Sequence, residues 1–185
     1  MEQINNVCTQ YQVKIPKMLT NSVPEIPSWT YPPIRICPYH ETKKQGILTE
    51  EVRANFLAHL ERHPTKHIFT DGSKTSQHVG FAAVLPSTTR SGRLTEEASI
   101  FTAELYAIKI AVEEILRGTT DDTRFTIFSD SKSALLALRS DISHSPIVDE
   151  IKDLIHSAEE NSAGSLDMLT SGEMKKQMRQ QRRQH

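Results

Sequence analysis

The 185-residue chain has only two cysteines, Cys8 and Cys37, and both lie outside the regions with a regular hydrophobic pattern. Two cysteines do not make a disulfide framework, and their spacing matches no metal-binding motif. The sequence also lacks a run of 18 apolar residues and a charged-then-apolar leader. These absences exclude a disulfide-stapled secreted domain and a membrane-spanning protein. They predict an intracellular protein of the cytoplasm or nucleus, with no membrane partner.

An excess of charge of either sign is missing as well. The formal net charge is −1, so no global field attracts nucleic acid, and any contact with it must come from local basic patches. The length is sufficient for one good core with a small extension.

Proline and charge divide the chain into four regions. We predict a proline-rich linker or leader over 1–46, a helical connector over 47–64, an α/β domain over 65–160 and a basic, disordered tail over 161–185. The leader holds six of the nine prolines: Pro16, Pro24, Pro27, Pro32, Pro33 and Pro38. A docking peptide in the leader and nucleic-acid binding by the tail remain open alternatives.

The connector carries apolar residues every fourth position, a helical spacing. They are Val52, Phe56 and Leu60. His59 and His63 have a metal-ligand spacing on a helix, but no third ligand is nearby, so surface histidines are favoured.

In the α/β domain the hydrophobic pattern predicts the order β-β-β-α-β-α, which suits a mixed sheet flanked by helices. The expected strands are 66–71, 79–85, 93–98 and 124–130, and the expected helices are 102–117, 131–138 and 146–159.

Three acidic residues stand at comparable places in this pattern. Asp71 ends the first strand, Glu104 opens the first helix of the domain, and Asp130 ends the fourth strand. Taken singly, these are ordinary turn, helix-dipole and cap positions. However, Glu104 points within about 40° of the buried stripe of its helix. Carboxylates gathered at one sheet end repel unless a hard cation neutralises them, and Mg²⁺ is the usual one. Such a site suits phosphoryl displacement assisted by two metal ions.

The motifs around these acids are TDGSK (70–74), TAELYAI (102–108) and SDSKSAL (129–135), and gaps of 33 and 26 residues separate the acids. In this order they make region 66–160 resemble the type 1 ribonuclease H domain, especially the version in non-LTR retrotransposon polyproteins. The IPSW segment (26–29) is similar to the segment that joins reverse transcriptase to ribonuclease H in such elements.

The resemblance implies a ribonuclease H-like sheet and an enzyme that hydrolyses the RNA strand of RNA–DNA hybrids. It implies that Asp71, Glu104 and Asp130 are catalytic metal ligands for Mg²⁺, with Mn²⁺ as an alternative. The backbone at Gly72 and Ser73 would approach the RNA, which the family recognises through its 2′-hydroxyls. The implied partners are the hybrid itself and a reverse transcriptase domain of the parent element.

The sequence departs from the family in two places. Nothing after Glu160 matches its fifth strand, the loop that follows or the fourth acidic residue of its final helix. We therefore expect a C-terminally truncated or divergent copy whose final strand and helix are missing. In addition, Ile100 and Phe101 replace an Asn-Gln pair that is frequent in cellular enzymes.

The sequence also allows three other functional readings. An inactive remnant that only binds nucleic acid or a protein partner stays open. A transposase or integrase is disfavoured because it would carry its acids in the order Asp–Asp–Glu. A structural domain with three coincidental acids is the weakest reading.

Overall fold

The computed structural model describes residues 35–38, 49–62, 65–118, 124–141, 145–160 and 166–170. The elements in these ranges are β1 (Arg35–Pro38), α1 (Thr49–Arg62), β2 (Lys66–Lys74), β3 (Val79–Val84), β4 (Thr89–Leu94), α2 (Ile100–Gly118), β5 (Phe125–Ser129), α3 (Lys132–Arg139), α4 (Pro146–Glu160) and β6 (Leu166–Thr170).

The six strands of the described part form one sheet in the order β1-β6-β5-β2-β3-β4. Strands β2, β3 and β4 make an antiparallel meander, whereas β5 runs parallel to β2, β6 to β5 and β1 to β6. The antiparallel part is joined by short turns, and the parallel part needs a longer crossover, which α2 supplies. The predicted α/β class with a mixed sheet and flanking helices is confirmed.

The prediction that the final strand is missing is wrong. Leu166–Thr170 forms β6 beside β5, with Leu166 opposite Phe125 and Thr170 opposite Ser129. Leu166 and Met168 are buried, and Asp167 between them is partly exposed. Burial therefore alternates along the strand, as expected when one face of a strand packs on a core. Five residues give that alternation too few repeats to be recognised among Ser and Gly neighbours. The expected disordered tail therefore contains a strand, while residues 171–185 lie outside the described residues.

Two further strands differ from the predictions. The leader, expected to be a linker, contributes β1, which pairs with β6. The third strand was expected at 93–98 and lies at Thr89–Leu94, paired residue by residue with β3. Its side chains are mostly exposed, so the Ser- and Gly-containing stretch that suggests a loop is an edge strand with little hydrophobic signal.

Successive residues of the central strands enter two separate cores, because strand side chains alternate between the faces of the sheet. Ile68 and Ile127 belong to the larger core, which α2, α3 and α4 complete. On the opposite face, Phe69 and Phe128 stack with ring centroids 5.2 Å apart. Phe56 of α1 packs edge-on against Phe128 and is fully buried. The predicted connector helix thus covers the second face of the sheet.

In the described ranges, the helices include none that is both long enough and apolar enough to cross a membrane.

Candidate metal centre

Asp71 and Asp130 are brought together by the register of two parallel strands. The pairing of β2 with β5 ends where Thr70 meets Ser129, and the two aspartates are the next residues of the two chains. Strand β2 continues to Lys74, so Asp71 lies inside it and is paired with Ala82 of β3. The prediction that this strand ends at Asp71 is therefore wrong.

Side-chain hydrogen bonds fix the chain on both sides of Asp130. The buried hydroxyl of Thr70 donates to the carbonyl oxygen of Phe128 over 3.1 Å. After the strand, the Ser131 amide donates to Ser129 Oγ, and Ser131 Oγ accepts from the Ala134 amide as the N-cap of α3. Ser131, and not Asp130, is the cap of this helix.

Glu104 comes from the second turn of α2. The helix begins at Ile100, two residues before the predicted start, and Ser99 Oγ accepts from the Thr102 amide over 3.0 Å. Glu104 is therefore beyond the first turn, where the helix-dipole explanation would apply. Its side chain is 6% exposed, which agrees with the predicted inward direction.

The loop before α2 is held by the end of β2. Lys74 Nζ donates to the carbonyl oxygen of Ala98 over 2.7 Å and to that of Glu96 over 3.4 Å. This contact fixes the entry of the helix relative to the strand that carries Asp71. Sequence reasoning missed this role of Lys74, because it becomes visible only once β2 is known to extend to residue 74.

The three predicted ligands meet in space. One carboxylate oxygen from each of Asp71, Glu104 and Asp130 lies within 4.8 Å of the other two. Asp71 Oδ1 and Glu104 Oε2 are shielded from solvent. Like charges this close repel one another, and a bound cation relieves that repulsion. Oxygen-only donors of this kind fit a hard ion such as Mg²⁺ or Mn²⁺, so the donor set suits the metal that the sequence suggested.

Of the other candidate residues, Gly72 lies beside the cluster, and the rest lie apart from it or outside the described residues. Gly72 is buried beside Glu104, whereas Ser73 is exposed, with Oγ 3.5 Å from the Gly80 carbonyl oxygen; their contact with RNA stays a prediction. Asp167 lies on β6 opposite Thr126 and is not among the clustered acids. His63, the side chain of His59 and the basic tail residues fall outside the described residues.

Ion pairs anchor the remainder of α2. Arg90 of β4 lies 3.2 Å from Glu114, which is also bonded by Arg117. Burial acts to raise the pKa of Glu114, but the two arginines outweigh it and hold the pKa below its usual value. Lys109 pairs with Glu150 of α4.

Burial acts likewise to lower the pKa of Lys109, but the hydrogen bond and charge of Glu150, helped by the charge of Glu113, raise it. Both networks therefore hold their charged states and fix α2 against β4 and α4.

No protein-family model matches the chain, and no curated protein matches it significantly. The fold and the site define the class of this protein. It is an α/β protein in which three carboxylates cluster at the point where two parallel strands, β2 and β5, stop pairing.

Proposed function

We propose that this chain is a metal-dependent endonuclease of the ribonuclease H type, derived from a retrotransposon, that hydrolyses the RNA strand of RNA–DNA hybrids. The observation that carries the proposal is the cluster itself. Asp71, Glu104 and Asp130 come from three separate elements and place carboxylate oxygens within 4.8 Å of one another. Their Asp–Glu–Asp order is the order on which the resemblance to ribonuclease H rests.

The architecture supports the same proposal. An antiparallel meander followed by a helix and a parallel strand is the arrangement that the resemblance implies. The presence of β6 supplies the final strand that the sequence suggested to be missing, which is one part of the first departure. The assignment to the ribonuclease H fold is part of the proposal.

The chain's own residues would bind the cation and present it to a phosphate. Bound Mg²⁺ or Mn²⁺ supplies an activated water and neutralises charge on the scissile phosphate. Glu104 is the buried ligand, whereas Asp71 and Asp130 are half-buried and border solvent, the side from which a nucleic-acid strand can approach. Without a bound cation the three carboxylates would repel such a polyanion, so cation binding and substrate binding are expected to depend on each other.

A second candidate is binding of nucleic acid without cleavage. It is favoured by the number of acids in the cluster: within the described ranges, no fourth acidic residue lies beside Asp71, Glu104 and Asp130. Asp167 is on β6, apart from them. The family pattern places a fourth acid in a final helix, in a region outside the described residues.

Cleavage of a labelled RNA–DNA hybrid by the full chain separates the two candidates. We expect the RNA strand to be cut in the presence of Mg²⁺ or Mn²⁺, while RNA–RNA and DNA–DNA duplexes of the same sequence stay intact. Asp71→Asn should abolish cutting because it removes a ligand from the cluster. Asp167→Asn is the matched control and should leave cutting unchanged.

Circular dichroism would show that each variant is folded. Hybrid binding without cutting by the folded wild type would favour the second candidate. Cutting that survives in Asp71→Asn would contradict the metal site.

A further inference from the structure

We infer that Gly72 is a positioning residue for Glu104: the bare backbone of β2 at this point sets where the buried ligand lies. The effect of this contact on catalysis rests on the proposed function. The contact itself is made within the chain and does not require a bound cation.

The contact between β2 and α2 leaves no room for a side chain at residue 72. A Cβ placed on Gly72 would lie 2.8 Å from the backbone nitrogen of Glu104, 2.9 Å from its Cδ and 3.0 Å from its Cγ. Ordinary van der Waals contacts of a Cβ lie at 3.4–4 Å. The volume that a Cβ would fill is therefore occupied by the metal-ligand candidate itself, both its backbone and its side chain.

The neighbouring contacts keep α2 from moving away from β2. Lys74 holds the loop before α2, and the pair between Lys109 and Glu150 holds the helix against α4. A methyl group at residue 72 would therefore have to be accommodated at Glu104 itself, by a shift of its backbone nitrogen and of its side chain. Because Asp71 precedes Gly72 directly, the same contact fixes the spacing between two of the clustered carboxylates.

Gly92 offers a control in β4, where a Cβ would be equally close to its neighbour but would meet the end of a side chain and not backbone. A Cβ there would lie 2.6 Å from Cζ and 2.9 Å from Cε1 of Phe81, so Gly92→Ala strains the contact between β3 and β4 and meets none of the three carboxylates. A variant at Gly92 thus measures the cost of overpacking against Phe81, which lies opposite Gly72 but is not one of the three carboxylates.

A double-mutant cycle in EDTA tests the contact without any cation. The free energy of unfolding in urea is measured for Gly72→Ala in three backgrounds: wild type, Glu104→Ala and Glu104→Gln. Alanine removes the crowded Cγ and Cδ, whereas glutamine keeps the shape and removes only the charge. We expect Gly72→Ala to raise the equilibrium constant of unfolding by a similar factor in wild type and in Glu104→Gln. In Glu104→Ala the factor should be smaller by about fivefold or more.

The control and the failures are defined in the same terms. Gly92→Ala should have the same effect in all three backgrounds. An equal effect of Gly72→Ala in wild type and Glu104→Ala would overturn the inference, since the crowding would then not involve this side chain. If Gly72→Ala is unfolded alone but folded together with Glu104→Ala, the inference is supported; if it is unfolded in both, the inference is overturned.

Mn²⁺ binding then links the position of Glu104 to the site. In the folded variants, titration followed by electron paramagnetic resonance should show about tenfold weaker Mn²⁺ binding in Gly72→Ala, in line with the loss from misplaced ligands, and unchanged binding in Gly92→Ala. Wild-type affinity in Gly72→Ala, or equal losses in both variants, would overturn the inference. Absence of Mn²⁺ binding by the wild type would instead count against the proposed function, while the cycle in EDTA still decides the role of Gly72.

Discussion

Neutralising Glu104 should change the stability of the protein in opposite directions with and without a divalent cation. The perturbation is Glu104→Gln, which keeps the size of a side chain that is 6% exposed and removes its charge. Without a cation, the ionised side chain repels Asp71 and Asp130, and the unfolded chain does not suffer this repulsion. With a cation, the wild type gains binding energy that the variant largely loses.

The magnitude follows from the geometry of the cluster. At the outer limit of 4.8 Å between carboxylate oxygens, the repulsion of one pair is about 3.5 kcal/mol at an effective dielectric constant of about 20 and about 0.9 kcal/mol in water. Asp71 and Asp130 are half-buried, so the true value lies between these limits. We expect Glu104→Gln to stabilise the cation-free protein by about 1–2 kcal/mol.

Addition of Mg²⁺ should reverse the order. A ligand present at 100 times its dissociation constant stabilises the folded state by about 2.7 kcal/mol, and only the wild type should gain this in full. Urea unfolding at neutral pH, first in EDTA and then in excess Mg²⁺, gives the four free energies needed. Equal destabilisation by Glu104→Gln in both conditions would refute the reasoning, because neither repulsion nor cation binding would then involve this carboxylate.

Two further predictions concern the scaffold. Phe56→Ala should cost about 3–5 kcal/mol of unfolding free energy, because the ring is fully buried against Phe128, whereas the adjacent Leu57→Ala should cost little at 40% exposure; equal losses in urea unfolding would contradict the packing of α1. Glu114→Gln should reduce the loss of unfolding free energy that occurs as the pH is lowered into the acid range. The pKa of Glu114 is lowered from 4.5, so its contribution is present above that pH and is lost as the pH falls through the lowered value. The effect should stay below about 1 kcal/mol, since Arg90 is 54% exposed, and an unchanged loss at acid pH would contradict it.

The helices and the central strands could be predicted from the sequence because their residues bury a periodic face. Leu105, Ile108 and Val112 repeat along α2 and are all fully buried. All five residues of β5 are buried, and Phe125, Ile127 and Phe128 give it a clear apolar signal. The three acids could be predicted as one cluster because the sequence pattern places each at an end of such a periodic element, although Asp71 lies inside β2.

The edges of the sheet and the contact at Gly72 could not be predicted. Strands β1, β4 and β6 are short or largely exposed, so pairing with a neighbour, and not a hydrophobic pattern, makes them strands. Asp71-Gly72 has the composition of a turn, and local chemistry alone therefore ends the strand there. Only the approach of α2, which is distant in sequence, shows that the glycine provides space for Glu104.

The site depends on register more than on the identity of its elements. Asp71 and Asp130 meet because each follows the last pair formed by β2 and β5, and a slip of one residue would turn one of them to the other face of the sheet. The register of β5 is fixed from both sides, by β2 and by β6. Strand β6, with the least recognisable sequence in the sheet, therefore makes β5 an internal strand and so helps to hold Asp130 in place beside Asp71.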